Sequence, residues 1–322
     1  PNVVSNTFKE FENNRLILSK RLSDLNGYQG GVKDPNDPNY YQGYGRYAQD
    51  VVIPSFLAAY TKKDPTSIKL FKNSNPGIRS NPFAGLLPKP NWDITYNGLS
   101  NIPGLDKIFS NVTIRHGYHS TLSMNSFNTA LLFTDPNRIG YPYFRDTLTG
   151  NYVPYFLVPN LTIEESFDPM ISLDVTFTNQ LTTRFEFSKR RQLSLSLIDY
   201  QLAENRSTEF RFGFNYRKKG LPLLKNVRIG KKGMKLDNDV TFRLDFSLRD
   251  DATANSKLDQ GTSFGTAGQK VIIIQPSIDY VLNNRVSLKL YFDQTRNIPK
   301  ISNAFPITNT KGGLSVRVSL AQ

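Results

Sequence analysis

The 322-residue chain has no cysteine, two histidines and one tryptophan. Without cysteine there is no disulfide framework and no thiolate nucleophile or metal ligand. The two histidines, His116 and His119, stand three apart. In a strand that spacing points them to opposite faces, so they cannot share a metal. No apolar run approaches the ~20 residues of a membrane-spanning helix. The opening residues, Pro1-Asn2-Val3-Val4, lack the basic start and apolar core of a signal peptide. A mature secreted protein and an internal fragment both begin in this way. No glycine-rich phosphate loop ending in Lys-Ser or Lys-Thr is present. The stretch Gly261-Thr262-Ser263-Phe264-Gly265 matches the nucleophile-elbow spacing, but no histidine follows Ser263 to act as its base. The paired acids Glu164-Glu165 and Asp250-Asp251 are expected in solvated loops. Asp34-Pro35-Asn36-Asp37 offers oxygen ligands, yet the twelfth position of a calcium loop begun at Asp34 is Gly45, not Glu. These absences argue against an enzyme, a metal site or a cofactor.

What the chain does have is alternation. In Phe210-Arg211-Phe212-Gly213-Phe214-Asn215-Tyr216-Arg217 large rings take every second position. Successive strand side chains point to opposite faces, so one face is aromatic and the other hydrophilic. The pattern returns at Val240, Phe242, Leu244, Phe246 and Leu248, at Val286, Leu288, Leu290 and Phe292, and at Leu314, Val316, Val318 and Leu320. Ile171, Leu173, Val175 and Phe177 open the series. Val112 to Met124 reads as one long strand, reaching toward Phe127, and Trp92 to Tyr96 as a short one. Residues 134–168 read as a long loop. Thr178-Asn179-Gln180, Ala203-Glu204-Asn205-Arg206 and Asn283-Asn284 read as tight turns. Lys218 to Lys235, Asp250 to Gln269 and Asn297 to Gly313 read as longer polar loops. Residues 181–200 form either two strands turning at Lys189-Arg190-Arg191 or one long strand. The turn is preferred, because continuity would place Lys189 and Arg191 on the apolar face. Pro276 interrupts a central strand, where a bulge or an imperfect seam is expected.

Residues 1–90 differ. Phe8, Phe11, Leu18, Leu22 and Leu25 mark a surface helix over 8–25, interrupted by Arg15. A second helix is expected after Pro54, since proline suits a first helical turn. The rest is irregular, so 1–90 reads as a helix-and-loop insertion between the strands of a barrel that 91–322 continues. Its backbone cannot meet lipid, and it belongs inside a pore or beyond the bilayer, where it would narrow the passage, receive a partner or passively cap one rim.

Alternation alone fits both a β-sandwich and a membrane barrel. Apolar runs of about ten residues suit a tilted membrane strand. Tyr200, Tyr216 and Tyr280 near strand ends suit interfacial aromatic belts. The preferred reading is an all-β, antiparallel transmembrane β-barrel segment. Arg184, Glu186, Arg211, Arg243, Asp245 and Lys289 are expected to face the lumen. Phe210, Phe212, Phe214, Phe242, Leu244 and Phe246 are expected to face lipid. The net charge of +13 is spread over polar faces and turns rather than gathered in a block, so nucleic acid is not the expected partner.

Several stretches resemble a known family. They are Gly43-Tyr44-Gly45 with the Gln49-to-Thr61 segment, Pro90-Asn91-Trp92-Asp93-Ile94-Thr95-Tyr96-Asn97-Gly98-Leu99, the His116-to-Thr121 stretch, and Arg191 to Asn205 with its following aromatic strand. The chain resembles, along essentially its whole length, the C-terminal part of the SprA/Sov family. That family is the giant outer-membrane translocon of the type IX secretion system of Bacteroidota. Lys62 stands where the family pattern has Gly, and His119 where it has Arg. The resemblance implies a single-chain barrel on the order of 36 strands, of which this chain supplies about ten. It implies location in the cell outer membrane, export of folded cargo proteins, and a role in gliding motility. The implied partners are the remainder of the same barrel, a FadL-like outer-membrane barrel (PorV type), a periplasmic plug protein, the cargo and membrane lipid. The alternatives are a soluble or surface β-sandwich that binds a ligand, and a smaller outer-membrane porin.

Overall fold

The computed structural model describes residues 6–28, 30–70, 90–124, 126–221, 239–258, 260, 262–282, 285–301 and 304–319. Asn283-Asn284, Leu320 and most of Lys218 to Lys235 lie outside the described residues. The described residues are mostly antiparallel sheet with two α-helices. The helices are α1 (Asn6–Leu25) and α2 (Gln49–Thr61). The strands are β1 (Trp92–Tyr96), β2 (Phe109–Met124), β3 (Asn128–Thr129), β4 (Phe156–Leu157), β5 (Asn160–Phe177), β6 (Leu181–Ser196), β7 (Gln201–Lys218), β8 (Asp239–Lys257), β9 (Thr262–Val281), β10 (Val286–Pro299) and β11 (Ile307–Val318). Nine of them form one sheet in the order β1-β2-β5-β6-β7-β8-β9-β10-β11, while β3 and β4 pair separately. The sheet is open: β1 and β11 are its edges and do not pair with each other.

The strands are longer than the alternation suggests. Residues 181–196 are one strand, without the preferred turn at Lys189-Arg190-Arg191. Arg191 is accommodated on the apolar face by an ion pair with Glu165 and a hydrogen bond to the Tyr60 carbonyl (3.1 Å). Ala203-Glu204-Asn205-Arg206 is not a turn but the interior of β7. The chain reverses instead at residues 197–200, where Tyr200 takes a positive φ of 49°. Asp250 to Gln269 is not a loop: β8 and β9 pair through it up to Lys257 and Thr262. Asn297 to Gly313 is likewise strand at both ends, since β10 runs to Pro299 and β11 begins at Ile307. Within 134–168, β5 begins at Asn160, so Glu164 and Glu165 are strand residues. β2 stops at Met124. These polar extensions escaped the sequence reading because neither of their faces keeps an unbroken apolar run.

Pro276 carries no bulge. It pairs with Leu244 in β8, and the β9–β10 pairing lapses beside it, then resumes in unchanged register. The missing N–H therefore falls on the β10 side. Thr178-Asn179-Gln180 is the expected turn, with Gln180 at φ 68°.

α2 is buried from Asp50 to Tyr60, as a helix apolar on all sides must be. It starts at Gln49, five residues before Pro54 rather than after it. The proline removes one donor, and the adjacent Ser55 hydroxyl bonds the Val51 carbonyl (2.6 Å). Phe8, Phe11, Leu18 and Leu22 of α1 are buried, whereas Leu25 is 47% exposed. Arg15 is not on the surface. Its guanidinium lies over the Phe11 ring at 5.1 Å and 3.5 Å from Glu12, and burial lowers its pKa. One core joins both helices to Leu161 and Ile163 of β5, Leu193 and Leu195 of β6, and Leu202 of β7. The layers are thus α1, α2 and one end of the sheet.

α2 ends at Lys62, which is left-handed (φ 55°) and donates its N–H to the Ala58 carbonyl. A side chain in that conformation costs roughly 1–2 kcal/mol, and glycine is the usual occupant. Lys62→Gly is therefore expected to raise the midpoint of thermal or denaturant unfolding, by about 1 kcal/mol. Leu195→Ala, in contrast, should cost about 2–5 kcal/mol, because the side chain is fully buried. Equal effects of the two substitutions on unfolding would contradict this packing.

Candidate functional site

The motif residues behind the family resemblance act as clamps within the fold. The Gln49 amide donates to the Phe156 carbonyl (2.6 Å) and accepts the Val158 N–H (2.7 Å), docking α2 on β4. Gly43 has a positive φ of 78°, and a Cβ there would overlap the Tyr152 ring. Tyr44 is buried between Asn26, which donates to its hydroxyl (2.9 Å), and the Tyr152 ring, 5.0 Å away. Burial pushes its phenol pKa far up. The Asn91 side chain accepts the Ser120 N–H (2.6 Å), and Trp92 stacks on Tyr118 at 4.7 Å.

The candidate site is the sheet itself, with its two unlike faces. Register places Phe210, Phe212 and Phe214 opposite Leu248, Phe246 and Leu244, with Phe242 beside Tyr216. All six residues expected to face lipid share this face. Ile272, Ile274, Pro276, Ile278 and Tyr280 continue it on β9, Leu288, Leu290 and Phe292 on β10, and Leu314, Val316 and Val318 on β11. Ile171, Leu173 and Val175 continue it on β5. Much of it is open: Leu290 is 54%, Leu314 66% and Val316 56% exposed.

Arg184, Glu186, Arg211, Arg243, Asp245 and Lys289 all lie on the opposite face. There Arg184 pairs with Asp174 (2.5 Å), Arg211 with Glu186 (3.1 Å) and Glu209 (2.8 Å), and Arg243 with Asp279 (3.6 Å). A concavity of about 520 Å³ lies at the helix-bearing end, lined on this face by His119, Glu164, Arg190, Gln192, Ser207 and Asp251. His119 sits 3.2 Å from Asp93, whereas His116 turns to the Met170 carbonyl at 2.6 Å. Thr262 to Gly265 lie within β9, not at a strand-to-helix turn.

On β5 the apolar band runs from Ile171 to Phe177, and on β11 it occupies the rows level with Leu290, Leu288 and Val286. Its helix-side border stays in one row from Ile171 through Phe187, Phe210 and Leu248 to Ile272 on β9, and shifts along the strands only at β10 and β11, where the band begins at Phe292 and Leu314. Past one border the same face is charged, with Lys189, Arg191, Arg206 and Lys270, and then turns apolar again under the helices at Leu193, Leu195 and Leu202. Tyr200 belongs to that helix-covered end, 4.9 Å from Tyr47, whereas Tyr216 and Tyr280 lie at the opposite end of the band. The sequence reading missed the charged belt. The unbroken parity from Phe187 through Lys189 to Leu193 was its only signal.

Among the described residues, no helix is long and apolar enough to cross a membrane, and no three acidic, histidine or cysteine side chains gather as a metal site. No family model matches the chain, and no curated protein matches it.

The polar-face ion pairs are more than half exposed at Arg184 and Arg211. Solvent screening limits such pairs to about 0.2–1 kcal/mol. A double-mutant cycle of Glu186→Ala and Arg211→Ala is expected to give a coupling in that range. A coupling of several kcal/mol would mean that this face is dry.

Proposed function

We propose that the chain is a wall segment of a large outer-membrane β-barrel that conducts folded cargo proteins, as in type IX secretion. The observation that carries the membrane part is the open apolar band that runs from β5 to β11 on one face of the sheet. A soluble sheet covers so broad an apolar surface with a second layer, whereas a membrane strand presents it to lipid. Apart from the short edge strand β1, the strands of the large sheet run 12 to 20 residues, more than the 9–11 that span a bilayer, so their ends would project into water. The ion-paired opposite face suits a wet passage. The open edges at β1 and β11 need further strands, which the reading assigns to the remainder of the same barrel. The secretion part rests on the family resemblance of the clamp motifs and the strands behind them. The FadL-like barrel, the plug and the cargo enter with it as proposed partners. No catalytic or cofactor role is assigned.

A soluble β-sandwich would need a second layer over the band. Among the described residues the helices cover only one end of that face. A smaller porin would have to close on fewer strands, and β1 does not meet β11.

Single cysteines decide between these readings. The chain has none of its own, so each introduced thiol reports alone. In intact outer membranes, Phe242→Cys and Leu244→Cys should resist a membrane-impermeant maleimide, while Arg243→Cys and Asp245→Cys react. The reverse pattern would exchange the faces, and equal rapid labelling would remove the membrane. Leu244→Arg should in addition cost roughly 2–4 kcal/mol if it lies at the bilayer midplane.

A further inference from the structure

The border of the apolar band on the helix-bearing side is chemically sharp. The last apolar row is Phe187, Phe210, Leu248 and Ile272, with Arg296 beside Ile272. The next row is Lys189, Thr208, Asp250 and Lys270, flanked by Phe167 on β5 and Ile298 on β10, and the row after it carries Arg191 and Arg206. On β10, where the apolar stretch starts later, Arg296 and Gln294 occupy positions level with Ile272 and Ile274.

Two of these five cations, and Lys300 just past the end of β10, are already neutralised. Arg191 pairs with Glu165, Arg206 with Glu204 (2.6 Å), and Lys300 with Asp250. Asp250 stands directly opposite Lys270 but is engaged by Lys300. Lys189, Lys270 and Arg296 form no ion pair among the described residues, and Lys189 and Arg296 are exposed. The Lys189 ammonium lies 5.3 Å from the Phe187 ring, at the junction of apolar and polar surface. Lys189 and Lys270 stand one row beyond the apolar band and Arg296 two rows beyond Phe292, which is headgroup depth for a lipid-facing band, where long basic side chains reach phosphate.

We propose that Lys189, Lys270 and Arg296 bind the phosphate groups of anionic lipid along this border, an inference that rests on the membrane reading above. The occupant is lipid rather than free phosphate because the cations form a line continuous with the apolar band, not a closed pocket. Charge on the headgroup and acyl chains on the band are engaged together.

The test uses the intact full-length protein in neutral detergent, incubated with phosphatidylglycerol or phosphatidylcholine. Retained lipid is then extracted and quantified. The native protein should retain phosphatidylglycerol preferentially. Each neutralisation among Lys189→Gln, Lys270→Gln and Arg296→Gln should weaken that preference by roughly fivefold at most. A charge-preserving triple variant, Lys189→Arg, Lys270→Arg and Arg296→Lys, should keep it, which separates charge from damage to the fold. An unchanged preference in the triple Gln variant, with Leu244→Cys still protected in membranes, would overturn this inference alone. Loss of Leu244→Cys protection would overturn the membrane reading and this inference with it. Complete competition by inorganic phosphate would overturn the lipid as occupant.

Discussion

The structure depends on continuous strand register. β6, β7 and β8 pair without a shift from Leu181 and Lys257 to their far ends, apart from the adjustment of β9 near Thr253. Because side chains alternate with a period of two, one unbroken register keeps a single face over the whole length of a strand. Phe187 and Leu195 therefore face the same way, as do Phe212 and Leu202. The surface that carries the open apolar band also carries the packing site of the two helices. A bulge in β6 or β7 would have turned one of these surfaces away from the other.

That constraint explains what could be read beforehand. Alternation within the band is driven by one apolar environment along each strand, so Phe210 to Phe214 and Phe242 to Phe246 disclosed their face. Thr178-Asn179-Gln180 disclosed its turn because Asn179 lies in a short polar run between two apolar strands. Past the band, sheet pairing continues through backbone hydrogen bonds that do not require apolar side chains. Ala203 to Arg206 and Asp250 to Gln269 consequently resemble turns and loops while lying inside paired strands. Lys189 and Arg191 misled for a related reason. They violate a membrane rule only if that stretch is in the membrane, and the structure places them where the band has ended, with Arg191 held by Glu165 and the Tyr60 carbonyl. The α2 boundary was missed because Pro54 is tolerated inside a helix whose surroundings are otherwise fully packed.

The charged belt separates two kinds of burial on one face. On the helix side, Leu161, Leu193, Leu195 and Leu202 are covered by protein; on the other, Leu290, Leu314 and Val316 are more than half exposed and meet no protein layer among the described residues. Protein-covered side chains contribute to folding wherever the chain is. The uncovered ones leave a broad apolar surface exposed unless lipid or another layer covers them, and surfaces of that kind mark interaction sites or membranes. The belt is where the protein-covered part of that face gives way to the uncovered part.

The same geometry bears on the insertion. Residues 1–90 were expected either to enter the pore or to stand beyond the bilayer. α1 and α2 pack on the apolar-band face, opposite Arg184, Arg211 and Arg243. If the ion-paired face lines the passage, the helices stand outside it and cannot narrow it by filling it. They then rest on the projecting strand ends, beyond the charged belt and on the outer side of the wall. In that position α2 is buried by α1 on one side and by the strand ends on the other. The motif clamps at Gln49, Gly43 and Tyr44 hold the helix layer to β4 and the loop around Tyr152. A layer fixed so firmly is suited to stiffen the rim or to present a surface to a neighbour, and poorly suited to swing as a gate.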